Sequence, residues 1–535
     1  MSSGHDAAFW ADDEARLLDP ARPHVVRDSK TPSGAVPISA LRGPVISDAL
    51  VRTFRGHGLD VRFVYTIDDY DPMDSQSMRL QEGMAEHMGK PFFAIPSPDP
   101  SVASDFAEYH ATRFISLFAR LGIVPEFHRM RDLYRSGALD HQIDLVLRNA
   151  ETIRAIHKRI AHVEHAPGWL PISVICENCG RIGTTLATDY DGSTVAYACM
   201  PAYVEWAQGC GHHGRMSPFK GNSKLLWNEQ WCAQWDHFGV TYEEGGKDLL
   251  TAGGSRDRSN AIYREVFGKE PPLGLAHEFF LFGGRKMASS KNVGAKAYEL
   301  VNIYPPEITR FLMLRTHPKR HIEFDPAGMT LPRLVDEYDR SADAYLGDAS
   351  TDLARTWRLA QVSPDPAPPP PYRARFGTVA NWLQIPSITP EKEAEREKAA
   401  PLDDAELRDL HVRIELAKEW LERWAPEDAK FAVTPSLPPA AAALTPAQRR
   451  FLANVGAEIG RTADPEVMQE RLYEIAKECG LVRAEGGVSR DAFAAIYIAL
   501  FGKPNGPRAA WLILALDPDL VRSRFADASR DSVKV

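Results

Sequence analysis

The chain lacks any apolar run approaching the ~18 continuous residues that a membrane-spanning helix needs. It also lacks an apolar leader. Its first thirty residues are polar, with Asp12, Asp13, Glu14 and Arg16 early on, where a signal peptide would carry roughly 7–15 apolar residues. These absences predict a cytoplasmic protein. Cysteine is scarce: six in 535 residues, too few and too unevenly spread for a disulfide framework. Positive charge is not in excess either, since the formal net charge is −9. That excludes nucleic-acid binding by bulk basicity. An RNA partner would be met by local Lys/Arg clusters, because phosphate contacts dominate affinity. Arg148, Arg154, Lys158 and Arg159 form one such cluster, which reads equally well as a solvated helix face. No internal repeat is evident.

What is present is ordinary for a globular protein: 44% hydrophobic and 25% charged residues. The length predicts two to four domains. Val25-Val26 enters a Thr31-Pro32-Ser33-Gly34 turn, and a helical stretch follows to Gly56, with Pro44 expected to kink it. Val61, Phe63, Tyr65 and Ile67 alternate with Arg62, Val64 and Thr66, which predicts a strand ending in Asp68-Asp69-Tyr70-Asp71. Helical stretches follow over 104–121 and 143–162. Strands alternating with helices predict a parallel sheet, whose ligands sit beyond the carboxyl ends of its strands. The turn at 31–34 and the acidic cluster at 68–71 fall at such ends. Proline-rich breaks at 364–371 and 435–446 read as linkers or helix-free connectors. Beyond them, Asp464 caps a helix with Pro465 at its first position, Met468, Leu472, Ile475 and Cys479 on one face, and Gly480 at its end. Ser489 caps another helix, and Gly506-Pro507-Arg508 opens a third.

Two clusters carry chemistry. Lys286-Met287-Ala288-Ser289-Ser290-Lys291 follows Phe279-Phe280-Leu281-Phe282 and Gly283-Gly284. Lysines and hydroxyls in one loop suit a polyphosphate, and charge placed on a departing pyrophosphate is electrostatic catalysis. Composition alone fits a polar surface loop as well. The second cluster is Cys176-Glu177-Asn178-Cys179 with Cys199 and Cys210. Its C-x2-C knuckle fits a structural tetrahedral zinc site. The wide gap before Cys210 leaves His212 or His213 as a possible substitute ligand. Trp227, Trp231 and Trp235 recur every four residues, a stripe expected to be core. Cys232 and Cys479 sit alone as ordinary core residues.

Lys286 to Lys291 resembles the KMSKS signature of class I aminoacyl-tRNA synthetases. Its serine at the fourth place and lysine at the sixth look like the lysine-specific branch. Gly245-Gly246-Lys247-Asp248 and Gly253-Gly254-Ser255-Arg256-Asp257, after the Trp-rich stretch 231–238, are similar to segments of that family. So are Asp68-Asp69-Tyr70-Asp71, Phe501-Gly502-Lys503 and Gly506-Pro507-Arg508. The resemblance covers roughly residues 25–340 and 440–535. It implies an α/β Rossmann-type catalytic domain at 1–340, with a zinc-binding insertion at about 170–215. A connecting region at 341–440 and an all-helical anticodon-binding domain at 441–535 follow. The implied reaction joins lysine to tRNA(Lys) through a lysyl-adenylate, using ATP with Mg2+.

The resemblance also assigns residues. Lys286, Ser289 and Lys291 would be catalytic. Ser33, Gly34, Pro37, Ser39, Met287 and Ser290 would bind ATP. Asp68, Trp235, Gly246, Lys247, Asp248 and Glu278 would bind the amino acid, with Asp68, Asp69 or Glu278 pairing an ammonium. Cys176, Cys179, Cys199 and Cys210 would hold zinc. One departure stands out. Where the family's HIGH-type motif belongs, the chain reads Val36-Pro37-Ile38-Ser39, with proline in place of histidine and serine in place of glycine. Proline has no side-chain donor for phosphate, which predicts weakened ATP activation. The alternatives are a catalytically reduced paralogue that binds tRNA or nucleotide, a class I synthetase for another amino acid such as glutamate, cysteine or arginine, and a zinc-knuckle RNA-binding protein.

Overall fold

The structure is a computed structural model that describes residues 9–282, 285–286, 301–385 and 388–530. In chain order its first strands are β1 (His24–Lys30), β2 (Val61–Ile67), β3 (Glu126–Arg129) and β4 (Ile172–Val174). Then come β5 (Thr185–Tyr190), β6 (Val195–Cys199), β7 (His213–Met216) and β8 (Ser223–Leu225). The last are β9 (Tyr242–Gly246), β10 (Leu273–His277), β11 (Phe280–Phe282), β12 (Arg285–Lys286) and β13 (Ile322–Glu323). The chain divides into two compact units: Met1–Phe324 with Ser341–Ala367, and Asp325–Arg340 with Pro368–Val535.

The first unit is built on a parallel sheet of order β10-β9-β1-β2-β3. β1 and β2 run in register from His24↔Val61 to Lys30↔Ile67. The alternation seen at 61–67 understates the burial, because Val64 and Thr66 are buried along with Phe63, Tyr65 and Ile67. A parallel sheet is covered on both faces, so its strands need not alternate. On one face lies the helix Arg42–Gly56, which packs on β1, β2 and β9, with Phe54 edge-on to Tyr242 at 5.3 Å. On the other, Val25 and Val64 join a core with Trp231, Trp235 and Met130. The kink expected at Pro44 does not arise from an interior break. The helix begins at Arg42, so Pro44 sits in the first turn, where an N–H has no intrahelical acceptor to lose. The helical stretch 143–162 is two helices, Asp140–Arg148 and Ala150–Ala161, broken at Asn149.

Between β3 and β9 the chain makes two small antiparallel sheets, β4-β8 and β5-β6-β7, which carry the clustered cysteines. In the second unit the helices Pro446–Glu458, Pro465–Glu478, Arg490–Phe501, Ala509–Ala515 and Pro518–Ser529 surround Phe451, Leu472, Ile496, Leu500 and Phe525. Asp464 caps its helix through Glu466 N and Val467 N, and Gly480 takes the left-handed turn expected of it at φ 77°. The proline breaks are not the edges of this unit. Ile385 and Leu444 are part of that core, and Phe431 and Val433 pack on it. Between the breaks, helices such as Asp404–Arg423 form, and Arg413 there binds both carboxylate oxygens of Asp339.

Candidate active site

Strand order reverses between β1 and β9, and ligands of parallel sheets bind at such a reversal, beyond the strands' carboxyl ends. A cavity of about 260 Å³ opens there. Its polar walls come from Asp28, Lys30 and Thr31 at the end of β1, Asp68 beyond β2, and Glu243, Glu244 and Gly246 on β9. Trp227, Trp231 and His277 complete it. Gly43 allows the helix Arg42–Gly56 to close over the site: a Cβ there would lie 2.7 Å from Glu244 Oε1 and 3.1 Å from Asp28 Oδ2.

The cavity is acidic. Burial, and then the neighbouring Glu244, push the Asp28 carboxyl well above its ordinary range. Its Oδ2 is buried and accepts no hydrogen bond among the described residues. Burial and the nearby Asp71 push Asp68 up to about 6, although Gln234 Nε2 (3.0 Å) and Gln230 Nε2 (3.3 Å) both donate to its Oδ1. Burial pulls the Lys30 ammonium down against the attraction of Asp28 and Asp68. His277 Nε2 lies 3.2 Å from Glu244 Oε2. A site of this kind gains from a cationic ligand that lets its carboxylates ionise.

The wall helix Trp227–Phe238 is oriented by one carboxylate. Glu243 Oε2 accepts from Trp231 Nε1 at 2.6 Å, Trp235 Nε1 at 2.8 Å and Arg256 Nη1 at 2.9 Å. Arg27 pairs with its other oxygen and donates to Thr66 Oγ1 at 2.7 Å. All of these side chains are buried. Trp235, expected on family position to wall the amino-acid pocket, is fully buried in this network, and the indoles that reach the cavity are Trp227 and Trp231. The helical repeat carries only part of the stripe to the core, because the helix meets the cavity at its N-terminal end.

The other expected residues are dispersed around the crevice. Gly246 and Ser39 line the cavity. Lys247 pairs with Glu278 at 2.6 Å and lies over the Phe279 ring at 4.5 Å, outside the cavity wall. Asp248 is exposed. Asp69 is tied to Arg131, whose backbone N–H donates to Oδ1 at 2.8 Å, and Arg131 also holds Asp105. Pro37 stands before the short turn Ile38–Leu41 in extended conformation, with no side-chain cap bond. Gly34 sits at φ 143° in the preceding turn. Lys286 pairs in β12 with Leu281. Met287, Ser289, Ser290 and Lys291 lie outside the described residues.

A second cavity of about 510 Å³ adjoins the first, and Thr31 and Trp227 belong to both. Ser33 lines this second space. Thr31 Oγ1 donates to Asp71 Oδ2 at 2.9 Å, and Lys224 Nζ lies 3.1 Å from Asp71 Oδ1.

The sulfur atoms of Cys176, Cys179, Cys199 and Cys210 all lie within 4.8 Å of one another. Cys176 Sγ is 3.6 Å from Cys210 Sγ, and Cys179 Sγ is 3.7 Å from Cys199 Sγ. A disulfide would need about 2.05 Å. Four sulfurs at about 2.3 Å from a zinc ion stand roughly 3.8 Å apart, so the donor set and its spacing fit that metal. Neither His212 nor His213 belongs to this group. The backbone instead closes the wide gap: Cys199 N donates to His212 O and Gly211 N to Cys199 O, each at 2.8 Å.

The basic cluster at 148–159 is neutralised. Arg148 pairs with Asp144 at 2.8 Å and Lys158 with Glu164 at 2.6 Å, while Arg154 and Arg159 pair with Glu151 and Glu265. Sequence reasoning missed Asp28, Lys30, Glu244 and His277. The signal was available, since each lies near the carboxyl end of a strand in the parallel sheet.

Residues 8–363 match the family described as tRNA synthetases class I (K). The chain is 33% identical to a lysine–tRNA ligase of Methanosarcina barkeri strain Fusaro, across 98% of this chain and 99% of that one. It is 31% identical to the lysine–tRNA ligase of Archaeoglobus fulgidus, across 97% and 99%. With the lysine–tRNA ligase of Thermoplasma acidophilum the identity is 31% across 98% and 99%.

Proposed function

Because this chain belongs to the class I tRNA synthetases of the lysine type, we propose that it attaches lysine to tRNA(Lys) at the expense of ATP. The observation that carries the reading is the near full-length likeness to lysine–tRNA ligases, and the acidic crevice at the strand-order reversal agrees with it. The lysine carboxylate attacks the α-phosphorus of ATP, the bond to the bridging oxygen breaks, and pyrophosphate leaves. A ribose hydroxyl of the terminal adenosine of tRNA then attacks the carbonyl carbon of lysyl-adenylate, and AMP leaves.

The side chains position and neutralise. Asp68, with Asp28 and Glu244 beside it, receives lysine's ammonium groups, while Trp227 and Trp231 cover its apolar stem. The backbone N–H groups at the start of Ile38–Leu41 and of the helix behind it face the phosphates, as helix starts do. They stand in for the histidine that Pro37 replaces. Lys286, Ser289 and Lys291 steady the departing pyrophosphate, and Mg2+ accompanies ATP to offset its charge. The four cysteines hold one structural zinc, which cross-links the module and leaves no open position for catalysis. The helical second unit takes the anticodon stem-loop of tRNA(Lys). Among the described residues no helix is long and apolar enough to cross a membrane, and the reading places the protein in the cytoplasm with the rest of translation.

The test is lysine-dependent exchange of pyrophosphate into ATP on the purified chain, run against each of the other amino acids. Exchange with lysine alone is expected. Exchange with a different amino acid, or with none, refutes the reading.

A further inference from the structure

The second cavity has a composition of its own. Its floor and walls include Phe92, Tyr203, Trp206 and Trp227, an aromatic density suited to a flat ring. Tyr203 is 41% exposed and Trp227 36%, so both offer ring surface to something that enters. Its polar atoms are acceptors and hydroxyls, from Asp71, Asp74, Ser33 and Ser173, and its lysine, Lys224, is spent on Asp71. Such a lining disfavours a polyphosphate and favours hydroxyl and amino donors. A nucleoside brings both, on a π-face that stacks on aromatic side chains. The volume of about 510 Å³ lies within the range of small-molecule sites.

The loop that supplies Tyr203 and Trp206 runs between Cys199 and Cys210, so the cysteine cluster clamps both of its ends. Trp206 lies directly on Gly183, where a Cβ would be 2.5 Å from the indole, and it packs on Phe92, Met73 and Met88. Gly183 N and Ile182 N donate to Gly89 O at 3.0 and 2.7 Å, and Arg181 Nε donates to Met88 O at 2.9 Å. The module is thereby fastened to the catalytic sheet on the side where the two cavities meet at Thr31 and Trp227.

We propose that this second cavity receives the unpaired 3′-terminal nucleoside of tRNA, with its base on Tyr203 and Trp206 and its ribose turned toward Thr31 and the first cavity. The inference rests on the reading of the first cavity as the place where lysine is activated. It adds the subsite from which the second substrate reaches the activated carboxyl, and it gives the cysteine module a role as holder of that subsite. Asp71 and Asp74 accept from the ribose hydroxyls or the base amino group, and the preceding phosphate remains outside.

The experiment compares the affinity of the full chain for intact tRNA(Lys) and for the same tRNA trimmed of its last nucleotide, without ATP or lysine. One stacked base is worth about a tenfold preference, so the unaltered chain should favour intact tRNA by about that factor. In Tyr203→Ala and in Trp206→Ala the preference should fall to less than half of its original value, and Trp206→Phe should retain it. Tyr203→Ala alters a largely exposed side chain, so its result stands even if Trp206→Ala fails to fold. No preference in the unaltered chain, or a preference kept at half or more in Tyr203→Ala, overturns the proposal. Pyrophosphate exchange needs no tRNA and tests the first cavity alone. Preference for intact tRNA without lysine-dependent exchange would therefore defeat the activation reading and leave the subsite supported.

Discussion

Glu243→Gln should be among the most damaging conservative changes in the catalytic unit. The carboxylate serves four donors: Arg27 on one oxygen, and Trp231, Trp235 and Arg256 on the other at 2.6–2.9 Å. Both guanidinium groups are buried, with side chains 2% and 8% exposed. Glutamine keeps one acceptor oxygen and turns an N–H2 toward a cation, so two buried positive charges lose their counter-charge. Removing one partner of a buried pair costs about 3–5 kcal/mol. In a unit of about 350 residues, an unfolding entropy near 2 cal/mol/K per residue translates this to a fall in Tm of roughly 4–7 °C. The same change frees the helix Trp227–Phe238 from β9, so the KM for lysine should rise. Calorimetry reads the first effect and exchange kinetics the second. A fall in Tm of less than about 1 °C with an unchanged KM would show that Glu243 does not organise this wall, and the reasoning would fail.

The remaining predictions concern charge, metal and phosphate. The folded chain holds the Asp68 proton up to about pH 6 against 3.8 ordinarily, so this group's contribution to stability falls as pH rises from about 4 through 6. Bound lysine should offset that fall, and its KM should drop by up to about tenfold per pH unit below 6; Asp68→Asn should flatten both profiles. Elemental analysis should find about one zinc per chain, and Cys179→Ser should lower zinc content and folding more than Cys232→Ser does. Lys286→Ala should slow pyrophosphate exchange about a hundredfold with little change in Tm; full activity would reduce the signature loop to a surface feature. Pro37→His with Ser39→Gly should tighten ATP binding and raise exchange, and an already ordinary rate with no gain from the double change would show that the two positions do not limit activation.

Much of the fold was legible because it rests on local rules. Asp464 with Pro465 and Gly480 bounded a helix through capping and the left-handed conformation alone. The apolar run at 61–67 gave β2 to the residue. The C-x2-C pair led to the four-sulfur cluster. What was not legible depends on the assembly of distant segments. Asp28 and Glu244 are ordinary strand residues until β1 and β9 lie side by side and Gly43 lets a helix close over them. Proline runs were read as boundaries, yet Ile385 and Leu444, on either side of the second run's start, share one core.

The same distinction separates the two kinds of site residue. Lysines and hydroxyls of a signature loop act through their own chemistry, so their identity shows in a short string. Trp231 and Trp235 have equal chemistry and equal helical spacing, and only their distance from the crevice gives one a ligand surface and leaves the other structural. Glu243 and Glu244 divide similarly, although they are neighbours. Successive side chains of a strand point to opposite faces, so Glu243 reaches the indoles and guanidinium groups behind β9, while Glu244 faces Gly43 and Asp28 under the capping helix. One carboxylate is neutralised to hold the wall, and the next is left with Asp28 to be neutralised by what binds. An acidic pair at the end of a buried strand therefore places one charge in the scaffold and the other toward the ligand, a division that a cation such as lysine completes.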